Sequence, residues 1–422
     1  MFKMTITGLK AIQILDSRGN PTIKTELTTS KGTYTGSVPS GASTGKYEAL
    51  ELRDSGKDFG GKSVLKAVGN VSSSIAKQVI GKEFSSQNEI DDLMLKMDHT
   101  ENKSSLGANS ILSVSMAFAR AMASENNQEL YEYLGNLSGN KNFQLPIPQL
   151  NVINGGRHAG QENDIQEHML IPIGFDSYSE ALRAGVEVYQ IMKKTLHKKF
   201  GAIGTLVGDE GGFVPAIDNV QDRLELMLNA IDEAGYKGKI KIGLDCAASE
   251  FYKDKKYSIG NKTYSEGSLI DFYSELAGKY EIISIEDGMS EDDWSGWVAL
   301  TEKIGGKVQL VGDDLLVTNV NRIKKALEEK ACNALLLKIN QIGSITESIL
   351  ASELASKNNW NVIVSHRSGE TSDSFIADLV VGLGSGQSKF GAPARSERTS
   401  KYNRMLEIEE KLGGKAVFSK VF

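Results

Sequence analysis

Asp245, Glu286, Asp313, Lys338, the pair His366-Arg367 and Lys389 each stand at or just beyond the end of a short apolar run. The runs are Ile240–Leu244, Ile282–Ile285, Val308–Gly312, Leu335–Leu337, Val362–Ser365 and Leu379–Leu383, the last leading into a loop that carries Lys389. Runs of this length with such boundaries read as buried parallel strands. In a ring of parallel strands the C-terminal ends converge on one face, where catalytic groups collect. Carboxylates beside lysines in that position suggest a metal-assisted reaction on an anionic substrate.

Asp245, Glu286 and Asp313 are the candidate metal ligands. Hard oxygen donors with no nearby Cys or His select Mg²⁺ or a similar ion over Zn²⁺. One strand-end acid alone could equally be solvated or cap the next helix; three on consecutive strands favour the metal reading. Lys338 would be half buried, and burial beside a dication lowers a lysine pKa, which suits a general base. The bland alternative is a lysine snorkelling from the barrel mouth. Gly208-Asp209-Glu210-Gly211-Gly212 sets two carboxylates on a glycine-flanked turn, with Glu210 the candidate general acid. Ser365–Glu370 combines a guanidinium, a hydroxyl and turn amides, a combination suited to phosphate. His158 follows Asn154-Gly155-Gly156-Arg157 on a mobile-looking loop; His99, His168 and His197 read as structural.

The elements that would position these groups follow from periodicity. Ile12, Ile14, Ile23, Thr25, Leu27, Tyr34 and Val38, broken at Asp16–Pro21 and Lys31-Gly32, predict a three-stranded antiparallel meander. Helical patterns follow: Val64, Val68, Val71 and Ile75 keep the 3.6-residue period, and Leu106–Met122 predicts a tightly packed helix. Together these form an α+β unit ending near Ser138-Gly139-Asn140. Beyond it strand and helix patterns alternate. Positions 245, 286, 313, 338 and 366 lie 41, 27, 25 and 28 residues apart, as repeated strand–helix units require. Within this region Asn219–Glu233 predicts a helix capped by Asn219 and ended near Gly235. The expected architecture is α/β: a (β/α)8-type barrel over residues 139–422 with an α+β cap over 1–138.

Bulk properties narrow the function classes. A chain of 422 residues with 40% hydrophobic and 24% charged residues fits a soluble protein of two domains. A net charge of −6 and the lack of a long basic run argue against nucleic acid. The two cysteines, Cys246 and Cys332, fall in or beside buried-strand patterns and fit a reducing compartment. Met1–Lys10 lacks the apolar core of a signal peptide, and no stretch reaches the ~20 apolar residues of a membrane span. The expected location is the cytoplasm, with a secondary presence at the cell surface left open.

Taken together the motifs resemble the enolase family, nearly end to end. The matching stretches are Asp16–Thr22, Val38–Gly45, Leu106–Leu112, Asn151–Gly156, Gln166-Glu167, Gly208–Phe213, Leu335–Gly343, Ser365–Thr371 and Gly391–Arg398. The resemblance implies reversible dehydration of 2-phosphoglycerate to phosphoenolpyruvate. It implies Lys338 as the base at C2, Glu210 as the group assisting loss of the C3 hydroxyl, and Glu167 behind it. It implies a first Mg²⁺ on Asp245, Glu286 and Asp313 that grips the substrate carboxylate, so that Glu286 and Asp313 also border the substrate. A second Mg²⁺ would take Ser43. Arg367 and Ser368 would hold the phosphate beside His366, Lys389 would pair with the carboxylate, and His158 would arrive on a closing loop. A homo-oligomer, dimer or octamer, is implied as well. Departures from the family pattern are Phe390, where a small residue is usual, His168 for Phe, and Leu206 for Asn. The competing readings are a related lyase or cycloisomerase acting on a non-phosphorylated acid, which Arg367-Ser368 argues against, and a catalytically silent scaffold.

Overall fold

The computed structural model describes residues 3–42, 45–160 and 163–422. The chain opens with three antiparallel strands, β1 (Gly8–Leu15), β2 (Pro21–Thr28) and β3 (Thr33–Ser37), in the order the alternation predicts. Residues 65–79 are helical with a π-helical middle, Asn70–Ile75, and bury Val71 and Ile75. Three longer helices follow: α1 (Gln87–Asp98), α2 (Ala108–Glu125) and α3 (Leu130–Ser138). Small residues let α2 lie directly on the sheet. Thr25 and Ser113 hydroxyls meet at 2.6 Å, and a Cβ at Gly36 would sit 2.4 Å from the Ser113 carbonyl oxygen. Gly139 ends α3 in the left-handed conformation that glycine adopts without strain.

Eight strands then close a barrel: β4 (Ile147–Asn154), β5 (Glu167–Pro172), β6 (Ile240–Asp245), β7 (Ile282–Glu286), β8 (Gln309–Gly312), β9 (Ala334–Leu337), β10 (Asn361–Ser365) and β11 (Gly386–Lys389). Helices surround them, among them α4 (Tyr178–Phe200), α5 (Val220–Glu233), α6 (Glu266–Tyr280), α7 (Trp294–Ile304), α8 (Val320–Glu329), α9 (Ile345–Lys357), α10 (Phe375–Leu383) and α11 (Ser396–Leu412). Asn219 caps α5 as expected, its side chain accepting from the Asp222 amide at 2.7 Å. No helix among the described residues is long and apolar enough to cross a membrane.

Two features depart from the regular strand–helix reading. Strand β5 runs antiparallel to both neighbours, pairing Glu167 with Asn154 on one side and Asp245 on the other. The reversal brings the first residue of β5, not its last, beside the end of β6. The second departure corrects the sixth apolar run. Leu379–Leu383 is not a strand but the end of α10, a helix buried nearly all round that therefore shows no polar stripe. The strand is the polar Gly386-Gln387-Ser388-Lys389, so Lys389 is a strand residue and not a loop residue. It lacks an apolar signature because this level of the barrel interior is an amide layer. Gln387 accepts from Gln149 at 2.8 Å and from Gln309 at 3.1 Å, and donates to Gln309 at 2.8 Å. Elsewhere the interior is apolar, with Val311, Ala334, Leu336 and Ile363 forming a small cluster apart from the main core.

The N-terminal elements are tied to the barrel mouth. Ser40 and Gly369 exchange backbone hydrogen bonds of 2.7 and 2.8 Å. Arg120 on α2 pairs with Asp373 at 2.6 Å, and Lys103 with Glu347 at 3.0 Å.

Candidate active site

The strand ends deliver most of the expected groups to one pocket, bordered by Glu167, Glu210, Asp313, Lys338, Arg367 and Lys389 among others. Asp245 and Glu286 are the last residues of adjacent strands and stand in register. Between them lies the Lys389 ammonium, 2.9 Å from Asp245 Oδ2, 2.8 Å from Glu286 Oε2 and 3.2 Å from Glu167 Oε2. Burial opposes its charge, but these carboxylates hold it well above the usual lysine range. Phe390 does not disturb this arrangement: strand alternation sends its ring into the core, 5.9 Å from that of Tyr402.

Asp313 stands beyond the end of the next strand. Its amide donates to Asp287 Oδ1 at 2.9 Å, and Asp287 holds a positive φ of 42° to receive it. Gln341 donates to Asp313 Oδ1 at 2.8 Å, and Thr318 donates to the Gln341 carbonyl at 2.9 Å. The other oxygen, Oδ2, accepts from the Lys338 ammonium. That contact opposes the lowering that burial beside a dication would give Lys338. Burial favours the neutral amine, but the Asp313 charge outweighs it and the pKa is raised.

Among the described residues two groups bring ligand atoms within 4.8 Å of one another: Asp287 with Asp313 and Asp314, and His158 with Glu167 and Glu210. The expected Asp245–Glu286–Asp313 set is not one of these. Its carboxylates are instead divided between Lys389 and Lys338. The donor set nonetheless fits a hard divalent cation. It is all carboxylate, and burial, followed by the charges of Asp245 and Asp313, holds the Glu286 carboxyl well above the usual range. Negative charge is thus crowded beyond what the two ammonium groups offset. Ser43 lies outside the described residues.

Glu210 is carried by a turn with little freedom. The Gly208 amide donates to the Gly212 carbonyl at 2.9 Å, and Cβ atoms at either glycine would stand 2.8 Å from the Asn154 side chain. Asn151 donates to Glu210 Oε2 at 2.9 Å, and His366 Nε2 lies 3.3 Å from the same oxygen. Burial pushes the Glu210 carboxyl up, but the His366 and His158 rings and Arg398 pull it well below the usual range. Glu167 goes the other way, raised by burial and by the charge of Glu210. His158 stands 3.6 Å from Glu167 and 3.7 Å from Glu210, and burial lowers its pKa.

Arg367 and Ser368 border the same pocket. Arg367 is bidentate to Glu48 at 2.9 and 3.1 Å and donates to Asn340 at 3.0 Å. Ser368 Oγ accepts from the Ala42 amide at 2.6 Å and from Arg18 at 3.4 Å. Its two acceptor positions filled, the Ser368 hydroxyl proton is directed away from these partners. Periodicity and spacing assign no role to Glu48, Asn151, Asp287, Gln341 or Arg398. Several sit inside the resembling stretches, but nothing local distinguishes them from capping or surface polar residues.

Two family models match the chain. One, described as Enolase, N-terminal domain, covers residues 6–134, and the other, described as Enolase, C-terminal TIM barrel domain, covers residues 142–421.

Proposed function

The chain belongs to the enolase family, and from that premise we propose that it interconverts 2-phosphoglycerate and phosphoenolpyruvate, as a hydro-lyase of glycolysis and gluconeogenesis. The observation that carries this reading is one pocket lined by two unlike sets of groups. Buried carboxylates with Lys338 and Lys389 line it together with Arg367 and Ser368. A substrate with a carboxylate at one end and a phosphate at the other spans such a pocket. A non-phosphorylated acid would leave the second set without a ligand. In this reading residues 1–138 cap the barrel formed by 139–422.

Lys338 takes the proton from C2. That proton is weakly acidic because its removal adds charge beside an existing carboxylate, so cations must stand where the charge develops. Asp245, Glu286 and Asp313 would hold Mg²⁺, with Ser43 serving a second ion. An ion held there would supply positive charge where the anion develops, and Asp313 engaged with it would no longer raise the proton affinity of Lys338. A lysine base beside Mg²⁺ is a known pattern of enolase-superfamily sites and is carried over from the family to these residues. Lys389 pairs with the substrate carboxylate. Arg367 and Ser368, beside His366, bind the phosphate. Glu210 faces the C3 hydroxyl, and Glu167 holds the proton that Glu210 delivers as the hydroxyl leaves. His158 closes over this side and excludes water.

Mg²⁺-dependent formation of phosphoenolpyruvate from 2-phosphoglycerate, followed by the ultraviolet absorbance of the new double bond, tests the proposal. Turnover that stops on chelation is expected. No turnover with metal and substrate shown to be bound overturns it.

A further inference from the structure

We propose that Arg398 is a positioning residue whose guanidinium fixes the tautomer of His366, so that the ring presents an Nε2 proton to Glu210. Arg398 lies in the first turn of α11 and is fully buried. Its Nη1 is 2.5 Å from His366 Nδ1 and 2.5 Å from the Arg367 carbonyl oxygen. Its Nη2 donates to the Asp209 carbonyl oxygen at 3.1 Å and to the carbonyl oxygen of Ser368. A guanidinium only donates, so His366 Nδ1 must accept. A neutral imidazole carries one N–H, which therefore sits on Nε2, the nitrogen 3.3 Å from Glu210 Oε2.

The charged groups around the ring agree with a neutral imidazole. Burial, Arg398 and Lys389 disfavour a second proton more than Glu210 favours it, and the pKa is pushed down to about 3. One guanidinium thereby spans two loops, the turn that carries Glu210 and the segment that carries Arg367 and Ser368. Gly391 shows how closely they meet. At φ +88°, a Cβ there would lie 2.9 Å from Arg398 Cδ, from the Glu210 carbonyl oxygen and from His366 Cε1. With Asn151 on the same oxygen, the Nε2 proton orients Glu210 for the hydroxyl-loss step, a role that rests on the reaction proposed above.

The test is long-range ¹H–¹⁵N correlation on ¹⁵N-histidine-labelled protein, with His366 assigned through His366→Gln. The expected spectrum shows Nδ1 unprotonated and Nε2 protonated across neutral pH. Arg398→Met is expected to lose that single tautomer and to lower kcat roughly 10²-fold, more than it changes KM. It also gains an ionisation below pH 7 in the pH profile. Arg398→Lys keeps a donor, restores the Nε2–H form and recovers part of kcat. A wild-type ring protonated on Nδ1 overturns the proposal, as does an Arg398→Met protein that keeps the Nε2–H form. If Arg398→Met does not fold, the wild-type spectrum and Arg398→Lys still decide. The spectrum needs no substrate, so it separates failure of this inference from failure of the reaction assignment.

Discussion

The two halves of the pocket are built differently. The acidic half stands on strand ends: Asp245, Glu286 and Lys389 terminate three barrel strands, and Asp313 and Lys338 follow two more. Backbone ladders on either side fix these groups. The cationic half stands on loops. Arg367 and Ser368 leave the end of β10 and are held by Glu48, Ala42 and Arg18 from the N-terminal segment. The difference teaches that the acidic groups are fixed within the barrel, whereas the placement of Arg367 and Ser368 depends on the N-terminal segment. Changes in the first half should act on kcat and changes in the second on KM.

The largest effect is expected at Lys338. Lys338→Ala should reduce C2 proton exchange roughly 10³- to 10⁴-fold, measured by deuterium incorporation into 2-phosphoglycerate, with Mg²⁺ binding retained. Persistence of exchange would remove Lys338 from the role of base. Glu210→Gln should cost about 10²- to 10³-fold in phosphoenolpyruvate formation while C2 exchange survives. Loss of both activities together would leave Glu210 without a separate role.

The cap-borne half gives a smaller effect of another kind. Glu48→Gln removes a charge that orients Arg367, and KM should rise roughly 10-fold with kcat nearly unchanged, in line with ~1.5–3 kcal/mol for a charged hydrogen bond. A fall in kcat at constant KM would break the comparison between the halves.

The smallest effect concerns pH and stability. His168 is fully buried on β5, and burial, aided by Arg223, holds its pKa well below 6.5. Above pH 6.5 both folded and unfolded states leave the ring neutral and no difference arises. As pH falls below 6.5 the unfolded state takes up a proton that the folded state refuses, so stability is lost by up to ~1.4 kcal/mol per pH unit. His168→Phe should flatten the fall in thermal midpoint between pH 6.5 and 5. An unchanged slope would show that other groups dominate the acid limb.

Part of this site is legible in the sequence, and the exceptions share a cause. Asp245, Glu286 and Asp313 stand out because strands covered on the outside by helices are apolar along their length and end abruptly in charge. Apolar patterning misplaces Lys389 into a loop because its strand faces an amide layer and carries Gln387 and Ser388 in place of apolar residues. The adjoining apolar run belongs to a helix buried on nearly every side. Glu167 is visible through the motif it belongs to, but the reversal of its strand has no local signature. The direction of the Lys338 pKa has no local signature either: the Asp313 carboxylate at hydrogen-bond distance opposes desolvation of the amine.

By itself the sequence determined the order and type of most elements, the barrel class and the charged groups at most strand ends, because apolar periodicity and the residues that end it are local properties. Only the tertiary structure decided which charges meet. Lys389 lies among Asp245, Glu286 and Glu167, Arg367 lies against Glu48 across 319 residues of chain, and His366 is pinned by Arg398. Coulomb interactions and proton affinities depend on distance in space and on burial, and neither can be read from separation along the chain.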